Sequence, residues 1–517
     1  MAKLILALDF GSTGAKVTVF NEKAEIVAAR YREYPTYFPQ PYYVMQSPRE
    51  WWEAFVEATK ELLALPEIDP ADIAVVAPSA QMSSAIPIDK DGNLLVDPVW
   101  IWADMRSKEQ VKRVCEALGG EENLYNITGG AMDQETYTGF KIAWIKENMP
   151  ELYEKTHKFL QVKEFISWKL TGNMVTDYSD ASDCAMMDIR KKEYSPKLLE
   201  LYGIDPAKMP PIQKGNSIMG YVTEAAAKET GIPAGTPVSV GGGDVTIAAM
   251  GAGVAQEGEA YIYIGSGAWM GMYSAEPNMN FDARLVNFLS VDGQGYLPHV
   301  MGFCGGIAHR WMRDLVNNIP GLKDAVNYDT IEELVKASPV GAKGLLFMPF
   351  LRGGGAPYNE VDARGCFLGL ELTHDYADFC RAVMEGTAYV LRSMLEQISA
   401  NAPGGVKKIT MIGGGAKDPV WTQIIANVLQ REITITTMTQ EANSWGAAIC
   451  GGVAVGIWDD IASAQALVQV ERVDKPQPET AAIYDRMYAA SKLAFDRMLP
   501  MFHELADIRE MLAQNNG

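Results

Sequence analysis

Two stretches of similar design, about half of the 517 residues apart, constrain this chain more than any other feature. The first, LILALDFGSTGAKVTVF (4–20), runs as an apolar strand to Asp9. It then turns through Gly11, Ser12, Thr13 and Gly14 and resumes as a strand carrying Val17, Val19 and Phe20. The second, GEAYIYIGSGAWMGMYS (258–274), repeats the plan with a Gly-Ser-Gly turn at 265–267 and a following strand that carries Trp269, Met270 and Met272. One such hairpin is an ordinary turn. Two at half-chain separation predict two related domains, each opening on the same device. Each turn offers backbone N–H groups and hydroxyls without bulky side chains, a concavity suited to phosphate oxygens. Facing each other across a cleft, the two would hold one nucleotide's phosphates from both sides.

Other features of the chain agree with two α/β domains. At 517 residues it exceeds what a single hydrophobic core supports, and a 48% hydrophobic composition suffices for two. Amphipathic helical stretches at 47–64 and 376–398 alternate with β-rich runs at 72–79, 407–415 and 431–438. The first of these helices is expected to pack on a sheet through Trp51 and Trp52, and the Gly- and Pro-rich stretch 344–365 reads as a packed loop. A formal charge of −20 without any basic cluster argues against a nucleic-acid partner. With no leader-like start and no uncharged apolar run long enough for a bilayer, no membrane partner is expected and the cytoplasm is the expected compartment. Cys115, Cys184, Cys304, Cys366, Cys380 and Cys450 show neither CxxC pairing nor histidines at ligand spacing, and read as buried small hydrophobes.

A third nucleotide element is KKITMIGGGAKDPVWTQIIANVL (407–429): a strand, three glycines at 413–415, and an amphipathic helix from near Pro419. Such glycines let a base or ribose approach the backbone, and the helix start lends partial positive charge. A tight connection in a buried sheet would read the same way. No GK[ST] follows, so the phosphates have to be held elsewhere.

With these three elements in order, the chain resembles the FGGY carbohydrate kinases, whose fold is shared with actin, hexokinase and the heat-shock chaperone ATPases. DFGSTGAK (9–16) looks like the family's first phosphate motif, IGSGAW (264–269) like its second, and GGGAKDPVWTQIIANVL (413–429) like its adenosine motif. TYTGFKIAWIKEN (136–148), with Lys141 and Trp144, and GCFLGLELTHDYADFCRAVME (365–385) match two further family signatures. Within the family the nearest likeness is to the xylulokinases, through VGGGDVTIAAMGAG (240–253), VTDYSDASDCAMMDI (175–189) and WIWADMRSKEQ (100–110), although WADMR is equally like the gluconate kinases.

The resemblance implies an α/β fold of two actin/hexokinase-like (ribonuclease H-like) domains, 1–247 and 248–517, with a nucleotide cleft between them. It implies ATP and Mg²⁺, and transfer of phosphate to a small sugar hydroxyl, D-xylulose to xylulose 5-phosphate above all. The alternatives are a kinase for gluconate, ribulose or another ketose, polyol or signalling sugar, and a non-catalytic actin-like switch. Carried over residue by residue, Asp244 is the catalytic base and Asp9 and Asp244 are the metal-holding carboxylates. Gly11, Ser12, Thr13, Lys16, Gly265, Ser266, Gly414, Gly415, Ala416 and Asp418 bind the nucleotide. Gln81, Met82, Ser83, Asp104, Arg106 and Asp244 bind the sugar.

Plainer readings stand beside these: Asp9 as a hairpin's surface residue, Asp244 as the cap of a helix beginning near Val245, and Asp104 with Arg106 as a surface ion pair. Ser83 stands where the xylulokinases carry His, Val245 where they usually carry Asn, and RGGGAP (352–357) where the family reads SGERTP. None of the five histidines falls in a motif, and EANSWGAAICGGVAVGIW (441–458) is expected to be a buried helix packed closely through Gly446 and Gly451. The expected partner is a small sugar, with a homodimer left open.

Overall fold

The computed structural model describes residues 3–302, 305–400, 402 and 404–515; Cys304 lies outside the described residues. Strands β1 (Leu4–Phe10) and β2 (Gly14–Asn21) pair antiparallel with Asp9 opposite Lys16. The turn between them closes through the Gly11 N–H, which donates to Gly14 O at 3.0 Å. A Cβ on Gly14 would lie 2.5 Å from Arg32 O, so glycine is what lets β3 (Ile26–Glu33) pair so near the turn.

The first sheet is completed by β4 (Ile73–Ala80), β5 (Ile218–Tyr221) and β6 (Pro237–Ser239), in the order β3-β2-β1-β4-β6-β5; a short strand, Gly242–Gly243, also pairs with the end of β4. The second sheet contains β7 (Glu259–Ile264), β8 (Ala268–Met272), β9 (Val286–Leu289), β10 (Tyr296–Gly302), β11 (Lys408–Ile412), β12 (Ile433–Thr436) and β13 (Val470–Asp474). Its order is β9-β10-β8-β7-β11-β12-β13. From β10 to β13 the neighbours run antiparallel, antiparallel, parallel, parallel, antiparallel, as they do from β3 to β5 in the first sheet. The duplication expected from the two hairpins is therefore a duplication of whole sheets, although β5 precedes β6 in the chain whereas β13 follows β12.

Alternate residues of β1 feed two cores. Leu4, Leu6 and Leu8 pack with α1 (Pro48–Leu63) and its buried Trp51, Trp52 and Phe55; Ile5 and Ala7 pack on the other face with Ile247, Trp445 and Ala448. Those last three belong to α5 (Asp244–Gly251) and α9 (Ala442–Ala454). The other helices used below are α2 (Thr138–Asn148), α3 (Val162–Thr171), α4 (Tyr178–Ser182), α6 (Gly306–Asn317), α7 (Tyr376–Ala400) and α8 (Pro419–Leu429). The helix expected around Gly446 and Gly451 is thus real and buried, and it lies on the first sheet: a Cβ on Gly451 would meet Ala77 Cβ at 2.7 Å. The expected domain limit at 247 falls within α5.

Cys184, Cys380 and Cys450 are buried as expected, whereas Cys115 and Cys366 are only half-buried. Stretch 344–365 is tied down by Leu346–Met348, which pairs with Cys366–Leu368. Among the described residues no helix is long and apolar enough to cross a membrane.

Candidate active site

Three predicted site segments converge because β1, β4 and Gly242–Gly243 are adjacent and parallel. Asp9 and Gly242 both sit level with Ser79 of β4. Asp9 near the end of β1, Gln81 to Ser83 just beyond β4, and Asp244 after the glycine pair therefore share one sheet edge, the carboxyl ends of parallel strands where open α/β sheets take ligands.

Asp244 is the first residue of α5, and its Oδ1 accepts from the Val245 N–H at 2.8 Å. The cap itself is Gly243, so the capping alternative holds only as this local bond. Burial, and then the neighbouring Asp9, push the Asp244 carboxyl up to about 8. Burial likewise raises Asp9 to about 6, against a hydrogen bond from Asn443 Nδ2 (3.4 Å to Oδ1) and the charge of Lys16. Asp9 is therefore half-buried beside Asp244 and not a free surface residue. Lys16 is ion-paired with Glu441, the cap of α9.

The first phosphate turn keeps its hydroxyls at the surface, Ser12 Oγ accepting from Trp102 Nε1 at 2.9 Å and Thr13 Oγ1 lying 2.9 Å from Tyr31 OH. In the second, Gly265 N–H donates to Gly267 O at 3.0 Å, and the exposed Ser266 Oγ lies 3.5 Å from Arg310 Nη2. A cavity of about 610 Å³ opens beside it, lined by Gly265, Ser266, His309, Arg310, Tyr328, Gly414, Gly415, Asp418 and Trp421. Gly413 has φ +87°, and a Cβ there would lie 2.6 Å from Ile264 O, which explains the glycine requirement of this turn.

Of the expected adenosine residues, Gly414, Gly415 and Asp418 line this cavity and Ala416 does not. Ala416 is buried in the second core, because the chain coils there into a short 3₁₀ turn. The carboxyl of Asp418 caps α8, accepting from Val420 N and Trp421 N at 2.9 and 3.0 Å.

On the sugar side, Gln81, Met82 and Ser83 are all buried. Gln81 Nε2 donates to Gln46 Oε1 at 2.7 Å, and the Met82 thioether packs so closely on Gly243 that a Cβ there would meet its sulfur at 2.5 Å. Ser83 donates through its hydroxyl to Asp183. Asp104 and Arg106 form a buried, bidentate ion pair, with Nε and Nη2 at 2.8 and 2.7 Å from the two carboxylate oxygens. Its guanidinium lies 3.6 Å from the centre of the Tyr43 ring and 5.0 Å from that of Trp144. The surface-pair reading is overturned, because the aromatic box desolvates both charges.

The sequence reading assigned nothing to Asp183, Asn443, Glu441 or Lys141. Asp183 had a signal: Asp177, Asp180 and Asp183 recur every third residue, the spacing of one face of a helical turn. Lys141, of the Lys-x-x-Trp signature, is buried, donates to Thr136 O, and is pulled down to about 7 by burial.

Two sheets with the same succession of parallel and antiparallel neighbours, a glycine-rich hairpin in each, and paired carboxylates at the edge of the first define the class: a two-domain nucleotide-cleft protein with the actin/hexokinase fold. Comparison with known proteins narrows this. The model of the FGGY family of carbohydrate kinases, N-terminal domain, matches residues 4–251, and that of the C-terminal domain matches residues 260–455. The chain belongs to the FGGY family of carbohydrate kinases, and is an ATP-using phosphotransferase acting on a small sugar-like molecule.

Among curated relatives, the xylulose kinase of Bacillus subtilis (strain 168) is 28% identical over 89% of this chain and 90% of its own. The xylulose kinase of Staphylococcus xylosus is 30% identical over 86% and 89%. The glycerol kinase of Thermococcus gammatolerans is 27% identical over 92% and 94%. Of solved structures, ligand-bound xylulose kinase and gluconate kinase, both from Lactobacillus acidophilus, superpose with TM-scores of 0.88 and 0.89. Each is 23% identical, covering 97% and 98% of this chain and all of the other, a likeness of fold.

Proposed function

We propose that the protein phosphorylates D-xylulose to xylulose 5-phosphate, with Asp244 as the base. The observation that carries the mechanism is the pair Asp9 and Asp244 at one edge of parallel strands, beside a glycine-rich hairpin. In-line phosphoryl transfer needs charge neutralisation, positioning and a base for the attacking hydroxyl. Asp244 takes that hydroxyl's proton on a carboxylate oxygen as the oxygen attacks the γ-phosphorus and ADP leaves. Its raised proton affinity makes it a stronger base once ionised.

Ser12, Thr13, Lys16, Gly265 and Ser266 hold the phosphates, and Gly414 and Gly415 border the adenosine. Gln81, Met82 and Ser83 border the sugar. Two neighbouring carboxylates raised by burial, Asp244 further by the charge of Asp9, with no cation bonded to either among the described residues, fit a hard divalent ion, and Asp9 and Asp244 would hold Mg²⁺. When bound, that ion neutralises charge on the phosphates. Closure of the two halves would exclude competing water.

The xylulose assignment is supported by the names of the relatives in Bacillus subtilis and Staphylococcus xylosus. A kinase for another acceptor is the second reading, favoured by Ser83 and Val245, which depart from the xylulokinase pattern. A coupled ADP-release assay over ketoses, polyols and sugar acids decides. Xylulose is expected to lead, and Asp244→Asn to lower kcat about a hundredfold to ten-thousandfold while ATP still binds. Near-normal kcat in that variant would remove Asp244 from its role, and inert xylulose beside a brisk alternative would replace the substrate.

A further inference from the structure

The proposed reaction leaves Asp183 unused, although it is the third carboxylate of the acceptor side. It follows α4, is buried at 3% exposure, and accepts from Ser83 through Oδ2; among the described residues Oδ1 has no hydrogen-bond partner. Ser83 is itself held in the left-handed backbone region (φ +57°), a conformation that a non-glycine residue adopts uncommonly and that here accompanies the contact with Asp183. At this point of the acceptor side the chain presents a hydroxyl backed by a carboxylate.

The charges around it decide what such a pocket accepts. Asp183 is near enough to Asp244 to disfavour its ionisation, as Asp9 does. Of the cations facing this side, Arg106 is neutralised by Asp104 in a bidentate pair, and the buried Lys141, which donates to Thr136 O, directs its charge at Asp104 and Asp183. A substrate carboxylate would therefore meet Asp183 and Asp244, while the facing cations, Arg106 and Lys141, are already directed at carboxylates of the chain. Like charges at such range in a buried site repel strongly. A neutral polyhydroxy compound instead brings O–H donors to a carboxyl oxygen that lacks one; burial raises Asp183 to about 7, and such donors favour its ionised form.

We propose that Asp183, held by Ser83, is the specificity-determining carboxylate of the acceptor pocket: it accepts a hydroxyl of a neutral ketose or polyol and excludes sugar acids. This rests on the reading of the cleft as a sugar-kinase site. Discrimination of this kind is large, since a buried polar group left unpaired by the wrong ligand penalises it heavily.

The test compares wild type, Asp183→Asn and Ser83→Ala with xylulose, a pentitol and gluconate, measuring ADP release and, separately, calorimetric binding of each acceptor. Wild type is expected to prefer a neutral acceptor over gluconate by about a hundredfold or more in kcat/KM. Asp183→Asn should raise KM for the neutral acceptor about tenfold, more than it lowers kcat, while the affinity for gluconate rises and KM for ATP stays put. A purely structural Asp183 would shift both acceptors in the same direction. Gluconate as the best wild-type ligand, or acceptor affinities unmoved by Asp183→Asn, would overturn the proposal. If Asp183→Asn fails to fold, Ser83→Ala reads the same opposite shifts in smaller size, and their absence overturns it too. Discriminating binding without any turnover would defeat the kinase reading alone.

Discussion

At the scale of single residues, the site keeps carboxylates in an environment that disfavours their charge. Asp9 near 6 and Asp244 near 8 both bind a proton more tightly in the folded chain than in the unfolded one. Between about pH 4 and those values the native state holds the extra proton, so the stability of the ligand-free protein falls as pH rises through this window. Asp244→Asn removes the larger penalty. Its thermal midpoint should exceed that of wild type by about 2 °C or more near pH 8 and by less near pH 5, while activity is lost. Equal midpoints at both pH values would mean that Asp244 is not desolvated in solution. A second consequence concerns rate: in the free enzyme kcat/KM should climb toward pH 8, and saturating Mg²⁺ and ATP should move that limb to lower pH, because a cation beside the carboxyl favours its ionised form.

Among elements, the crossing of α5 and α9 carries the site. A Cβ on Gly251 would lie 1.8 Å from Ala442 O, and one on Gly446 2.0 Å from Ile247 O, so the two helices touch backbone to backbone. Asp244 begins one of them; Glu441 and Asn443, at the start of the other, reach Lys16 and Asp9. Gly446→Ala should cost about 1–3 kcal/mol by overpacking and lower kcat as well, since spreading the helices moves both carboxylates. A urea titration beside the kinetic assay checks it, and a stable, fully active variant would show that the crossing relaxes freely.

Beneath Asp244 lies a second buried arrangement. Lys163, on α3, faces Asp177 at 3.0 Å, Asp180 at 3.2 Å and Glu164 at 3.5 Å, all of them buried. Asp177 caps α4 and accepts from the Ser179 hydroxyl, which in turn accepts from Gly243 N–H at 2.9 Å. Lys163→Met leaves uncompensated carboxylates in the core, and should destabilise the protein by about 3–5 kcal/mol in the same titration.

In the whole molecule, two sheets of common design face a cleft, each offering one hairpin, while α9 returns from the second half of the chain to cover the first sheet. The Lys16 to Glu441 ion pair joins the hairpin of one half to the helix of the other. Saturating sugar together with a non-hydrolysable ATP analogue should reduce the radius of gyration in small-angle scattering relative to protein alone or nucleotide alone, because the phosphate-holding turns belong to different sheets. An unchanged radius would mean that the halves are already closed before ligands arrive.

Local pattern was enough for whatever depends on neighbouring residues. The apolar strands ending near Asp9 and Ile264, the glycines between them, the glycines before Asp244, and the alternation that foretold two sheets are each written within about twenty residues, where period and turn chemistry act directly. Which surfaces met was a matter of tertiary packing. The burial of Asp104 with Arg106 needed Tyr43 and Trp144 from elsewhere in the chain, the use of Asp183 needed a serine a hundred positions upstream, and Ala416 left the nucleotide cavity because the second core claimed it. α9 was legible as a buried helix, but not as the cover of the other half's sheet. Desolvation and ion pairing are properties of assembled surfaces, so the proton affinities of Asp9 and Asp244 existed only once three strand ends and two crossing helices had closed around them.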